Sequence, residues 1–250
     1  RAMRIGVYLT NQHYLDKDLI SALDEQIAMV KLARDRGWDS LFTGHHYLNE
    51  GNNHAVQWVP YLARLQADAG HMAVGIGILL LPLHNPVYVA ETAASMDVIC
   101  RGNFILGIGL GYRKMEFDAF AVPMDQRVRR FEQHLALIKR LWTEDSVSYE
   151  DETCKLENVR MNLGPVQKPH MPIWIAGSGP SFVASVMIVP GLSSPKGETS
   201  LGTSSRLFCT GALRIAPRRL FTTGASAGAS TGCVSRQAPS TCFSAIARSA

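Results

Sequence analysis

The sequence predicts an α/β fold, on three observations. Short, unbroken apolar runs recur through the first 186 residues. Between them lie longer segments whose apolar residues return every three or four positions. Glycine, proline or a capping side chain marks most boundaries between the two patterns. Alternating strands and helices, with strands that are apolar throughout, imply a largely parallel sheet.

"RIGVYLT" (4–10) reads as a buried strand. Ile20, Leu23, Ile27, Val30 and Ala33 follow at helical spacing, and Gly37 is a stop signal. "DSLFTG" (39–44) is the next strand, and "VPYLARLQADAG" a short helix with Pro60 in its first turn and Gly70 at its end. "MAVGIGILLLP" (72–82) is the third strand; the helix after it has Asn85 as N-cap, Pro86 at its first position and Gly102 beyond its end. "FILGIGLG" (104–111) is the fourth strand. Asp125 is placed to cap a long helix striped by Val128, Phe131, Leu135, Ile138 and Leu141. "SVSYE" and "KLENVRM" read as a hairpin turning at Asp151–Thr153, and "PIWIAG" (172–177) as the fifth strand. Five such strands fit a doubly wound sheet or the first part of a (β/α)8 barrel.

The pattern stops near Val186. Of residues 187–250, 34 are Ser, Thr, Ala or Gly, and no strand or helix period persists. A disordered tail fits this composition. A frame-shifted or chimeric continuation fits the abruptness better, because "IAGSGPSFVASV" opens a helix that nothing continues. Charge divides at the same place. Residues 1–186 carry 18 Lys+Arg against 20 Asp+Glu, whereas 187–250 carry 7 against 1. The net charge of +4 therefore belongs to the tail, and the front part has no nucleic-acid footprint. There is no run long and apolar enough for a membrane span and no signal peptide, so the expectation is a cytoplasmic protein whose five cysteines are free thiols.

Four stretches are candidates for chemistry. His45 and His46 follow the second strand; adjacent residues on an extended chain point opposite ways, so one imidazole can face a pocket while both cannot easily share a metal. No metal site is expected. "GIGLG" (107–111) is not a dinucleotide fingerprint: its glycines lie along the strand, marking close approach of a ring or of neighbouring backbone. "AGSGPS" (176–181) joins a strand to a helix start, where Gly177 and Gly179 allow backbone N–H groups to surround an anion. "LLLPLHNP" (79–86) alone indicates a capped helix.

In this order, "GWDSLFTGHHY", "GIGILLLPLHNPVYVAETAASMDVICRGNFILGIGLGY", "RRFEQHLALIKRLWTE" and "GPVQKPHMPIWIAGSG" resemble the bacterial-luciferase-like, flavin-dependent monooxygenases over residues 3–182. The resemblance implies a (β/α)8 barrel over residues 3–186, incomplete after the fifth strand and followed by the irregular tail. It implies reduced FMN bound at the strand C-termini, with O2 and a small organic molecule as substrates. His45 would be the candidate base, and Gly77-Ile78 the site of a non-prolyl cis peptide supporting the flavin ring. Gly109 would stand where luciferase has a cysteine facing the flavin, and Gly177, Ser178 and Gly179 would form the phosphate turn. Leu110 replaces an arginine that holds the phosphate in luciferase. No nicotinamide fingerprint is visible, so a separate flavin reductase is expected as partner, with a homo- or heterodimer and neither nucleic acid nor membrane. The alternatives are a deazaflavin-dependent hydride-transfer enzyme and a non-catalytic flavin-binding fragment.

Overall fold

The computed structural model describes residues 4–49, 51–176 and 205–208. Its frame is a sheet of six parallel strands: β1 (Gly6–Leu9), β3 (Ser40–Thr43), β5 (Ala73–Leu80), β6 (Phe104–Gly109), β9 (Ile173–Ala176) and β10 (Ser205–Phe208), adjacent in that order. The first five are those expected from the apolar runs. β10 lies within the stretch expected to be irregular, and it extends the sheet past the fifth strand: Ser205 pairs with Ile173 and Phe208 with Ala176. A four-residue strand with a free sheet edge to pair with leaves little periodicity in a sequence.

Helices α1 (Leu19–Asp35), α2 (Trp58–Ala69), α3 (Pro86–Ile99) and α5 (Arg127–Thr143) pack with the sheet in one core. Alternate strand residues Val7, Leu41, Val74, Ile76, Leu106, Ile108, Ile173 and Ile175 are buried against them in one core. The opposite face carries Tyr8, Phe42, Gly75, Gly107 and Trp174 at the intervening positions. Among the described residues the strands lie side by side in chain order, without the reversal that a doubly wound sheet needs. Leu62 and Leu65 on α2 have no exposed surface, and each such burial stabilises the fold by about 2 kcal/mol.

Local chemistry explains where sequence expectations held. Asn85 caps α3 by accepting from the N–H groups of Val87 and Tyr88, and Pro86 opens the helix. Asp18 caps α1 through the Ser21 N–H. The buried stripe of α1 is rotated from the expected one: Ile20 is exposed, while Gln26 is buried. Gln26 is accommodated because its amide donates to the Thr10 carbonyl and accepts from the Tyr61 hydroxyl. Asp125 does not cap α5; it lies inside a 3-10 turn, Met124–Gln126, one position too early.

Two antiparallel pairs flank the sheet. β7 (Val147–Glu150) and β8 (Lys155–Val159) form the expected hairpin. Its turn is held by Asp151, which accepts from the N–H groups of Thr153 and Cys154. β2 (Gln12–Tyr14) and β4 (Asn53–Ala55) pair across a long stretch of chain, and the short α4 (Lys114–Ala119) follows β6; neither was expected. The "GPVQKPHMP" segment is fastened to α3 by the fully buried Asp97, which accepts from the backbone N–H of Gln167 at 3.0 Å and its side-chain amide at 2.7 Å. Among the described residues no helix is long and apolar enough to cross a membrane, and Cys100 and Cys154 are free thiols.

Candidate active site

The C-terminal ends of β3, β5 and β6 come together around a shelf made by Gly77 and Ile78. These are the two residues in the middle of β5 that are not buried. The peptide bond between them is cis, as the family resemblance implies. β5 and β6 lose register between Ile76 and Leu79, so the shelf interrupts regular pairing. The Tyr8 hydroxyl, rising from β1, donates to the Gly77 carbonyl at 3.0 Å. Gly44 lies beside that bond, and a side chain there would collide with the Tyr8 hydroxyl. Phe42 stacks on Trp174 of β9 at 4.9 Å beneath the shelf.

The glycines of β6 have separate tasks. A Cβ on Gly107 would run into the Ile76 carbonyl, so this glycine permits close backbone approach at the irregularity. A Cβ on Gly109 would meet the Ile78 side chain, which fills the space over it. Gly109 thus supports the shelf from behind. Leu110 packs against the main core.

His45 follows Gly44 and is 7% exposed. Its Nε2 is buried without a partner. Burial, then the neighbouring charge of His46, pushes its pKa down to about 4, while hydrogen bonding with Gln57 pulls weakly the other way. The imidazole is therefore neutral at pH 7. His46 turns away, as the alternation of an extended chain requires. Its Nδ1 lies 3.1 Å from Oε1 of Glu116, which also accepts from the Tyr47 N–H at 2.8 Å. Glu116 comes from α4, is fully buried, and has Arg113 within 3.7 Å. Its Oε2 has no hydrogen-bond partner.

Tyr47 completes the wall. Its ring meets His45 edge-on at 4.4 Å, and its hydroxyl lies 3.1 Å from Nε2 of His84. His84 is 8% exposed, and burial with the nearby His45 and His134 lowers its pKa to about 4. Burial also raises the pKa of Tyr47, so both groups stay uncharged.

The structure thus brings His45, Gly77, Ile78 and Gly109 together, whereas Gly177, Ser178 and Gly179 lie outside the described residues. Among the described residues no group of three or more His, Cys, Asp or Glu could hold a metal ion. Sequence reasoning missed Tyr8, Tyr47, His84 and Glu116. The available signal for Tyr8 was its place between Val7 and Leu9, one step off the helix-facing set. For Glu116 it was the single helical turn in "RKMEFDAF".

A shelf at strand C-termini, backed by glycine and faced by a neutral histidine, agrees with the sequence comparison: the luciferase-like monooxygenase family profile matches residues 3–187. The chain belongs to that family. It is 27% identical over 184 residues to the oxygenase component of a flavin-dependent trigonelline monooxygenase of Acinetobacter baylyi, an alignment covering 72% of this chain and 50% of that one. It is 30% identical over 170 residues to an F420-dependent glucose-6-phosphate dehydrogenase of Kineococcus radiotolerans, covering 62% and 49%. The crystal structure of the monooxygenase RslO1 from Streptomyces bottropensis superposes with a TM-score of 0.60 at 27% identity, covering 64% of this chain and 49% of that one. The chain spans about half the length of the curated relatives it matches.

Proposed function

We propose that this chain carries the flavin-binding wall of an oxidoreductase, a monooxygenase that uses reduced FMN and O2 on a small organic substrate. The observation that carries the reading is the accessible Gly77-Ile78 shelf beside the buried, unpartnered Nε2 of His45. Even a Cβ added at Gly77 would meet Phe42 and Tyr8 only at ordinary contact distance, 3.6 Å, so the shelf is not crowded by these rings. When bound, reduced flavin supplies the electrons for O2 activation.

The chain's own residues bind and orient. Tyr8 fixes the Gly77 carbonyl, and Ile78 with Gly109 behind it sets the height of the shelf. His45, neutral at pH 7, offers one nitrogen for a hydrogen bond and acts by orientation rather than by storing a proton. Gly177, Ser178 and Gly179 follow β9 in sequence and would hold the flavin phosphate. A separate reductase would deliver the reduced flavin. The identity to the F420-dependent dehydrogenase favours a second reading, in which a deazaflavin on the same shelf takes a hydride without O2.

Anaerobic titration with reduced FMN and with reduced deazaflavin, followed by O2 uptake, tests both. The expected result is binding of reduced FMN by both wild type and His45→Ala, with substrate-dependent O2 consumption about a hundredfold slower in the variant. Binding of neither cofactor sinks the proposal. Deazaflavin turnover without O2 uptake selects the second reading, and unchanged turnover removes His45 from its role.

A further inference from the structure

The short α4 grips the turn that carries His45. Tyr112, ahead of the helix, stands over the His46 ring at 6.1 Å, and Phe120, behind it, meets the Tyr47 ring at 4.6 Å. Between them Glu116 reaches both residues with a single oxygen: Oε1 accepts from the Tyr47 N–H at 2.8 Å and lies 3.1 Å from Nδ1 of His46. The other end of the turn is fixed by the shelf, because Gly44 lies against the Tyr8 hydroxyl that donates to the Gly77 carbonyl. His45 stands between these two anchors. Glu116 is fully buried, its Oε2 has no hydrogen-bond partner, and the Arg113 guanidinium faces its Oε1 at 3.7 Å. Taking a carboxyl group out of water with one oxygen unpaired costs stability, so packing alone does not account for it.

We infer that Glu116 is a positioning residue: by holding His46 and Tyr47 it sets the place of the His45 imidazole beside the Gly77-Ile78 shelf. The inference rests on the oxidoreductase reading and adds to it a residue that acts only through others. The path runs through Tyr47. Glu116 holds its backbone N–H, and its ring meets the His45 ring edge-on at 4.4 Å. A displaced backbone at Tyr47 carries that ring with it, together with the hydroxyl that lies 3.1 Å from Nε2 of His84. The contact between Glu116 and Nδ1 of His46 keeps the second imidazole on the α4 side of the turn, which leaves His45 to the shelf. Misplacing a reacting or orienting group by about 1 Å can slow a reaction by about a hundredfold, so a supporting contact of this kind acts strongly on rate.

The test reads the His45 ring before it reads any reaction. Proton–nitrogen correlation spectra of the histidine rings are recorded at neutral pH on the full chain without flavin, for wild type, Glu116→Ala and Glu116→Gln, with His45→Ala assigning the signal. Glu116→Ala is expected to shift the His45 ring signals and to leave those of His170, which packs on Trp142, in place. Glu116→Gln, which can still accept from the Tyr47 N–H, is expected to restore them. Titration with reduced FMN followed by O2 gives the second readout. Glu116→Ala is expected to bind reduced FMN as wild type does and to change its reoxidation rate about tenfold, with no further change when combined with His45→Ala. Should Glu116→Ala fail to fold by circular dichroism, Glu116→Asp, a methylene shorter, replaces it with the same expected shifts. A His45 signal that stays in place in a folded variant, or a rate effect that adds to that of His45→Ala, overturns the inference. Wild type that binds no reduced FMN refutes the flavin reading alone, and the His45 ring shift then decides the positioning role by itself.

Discussion

Lowering the pH from 8 to 4 should unfold this protein in part through two histidines. His45 and His84 are nearly buried, and burial carries each from an ordinary pKa of 6.5 to about 4. The unfolded chain binds both protons near pH 6.5, whereas the folded chain resists them until about pH 4. Within that window the unfolded state holds more protons, so stability is level above about pH 6.5 and falls as the pH drops. One pH unit costs about 1.4 kcal/mol per proton, so each histidine removes about 3 kcal/mol by pH 4. For a domain of this size that is a fall in Tm of roughly 6–12 °C. Carboxylates titrate in the same range, so the comparison needs a variant. His84→Gln keeps a hydrogen-bonding partner for the Tyr47 hydroxyl but cannot titrate. Thermal unfolding of both proteins from pH 8 to 4 should show the variant losing about 3 kcal/mol less than wild type. Parallel pH profiles would refute the argument, because they would mean that the folded protein charges His84 as readily as the unfolded chain does.

Substitutions at four further positions read individual contacts. Gly107→Ala places a methyl on the Ile76 carbonyl, where only backbone movement relieves it, and should cost about 3 kcal/mol in urea denaturation; Gly109→Ala meets the end of the Ile78 side chain, which can rotate, and should cost about 1 kcal/mol. Glu116→Ala strips the Tyr47 N–H of its acceptor and should cost about 1–3 kcal/mol, with faster amide exchange at Tyr47; Glu116→Gln, which can still accept, should recover most of that. Asp97→Ala releases both the backbone and side-chain amides of Gln167 and should cost about 2 kcal/mol with faster exchange at Gln167, so an unchanged urea midpoint would show that the segment is held by other contacts.

The sequence made most of the frame legible because the helix-facing strand residues and the helix caps are local signals. Asn85, Pro86 and Gly37 mark their boundaries with short-range chemistry, and the structure places those boundaries within a residue or two of the expected points. The misses were non-local. Gln26 is buried because Thr10 and Tyr61 reach its two ends, and neither contact leaves a trace in the spacing around position 26. The β2–β4 pair joins residues some forty positions apart through three-residue strands, too short to establish a period. In the candidate site, His45 and His46 contact different partners, Tyr47 and Glu116, but nothing in the sequence could bring Glu116 under His46 without the short α4.

Glycine spacing shows why a site is harder to read than a fold. In "GIGLG" the residues report that something comes close, and they are silent on what it is. At Gly107 it is the carbonyl of the neighbouring strand; at Gly109 it is the Ile78 side chain. Both glycines let backbone or side chain come close where β5 breaks its register and leaves Gly77 and Ile78 uncovered. The same reasoning applies to His45. Its value lies in an environment assembled from three loops, which holds the imidazole neutral and leaves one nitrogen free. Under the proposed flavin reading, Gly107→Ala is therefore expected to weaken reduced-FMN binding by displacing the shelf, and an unchanged titration would refute that link.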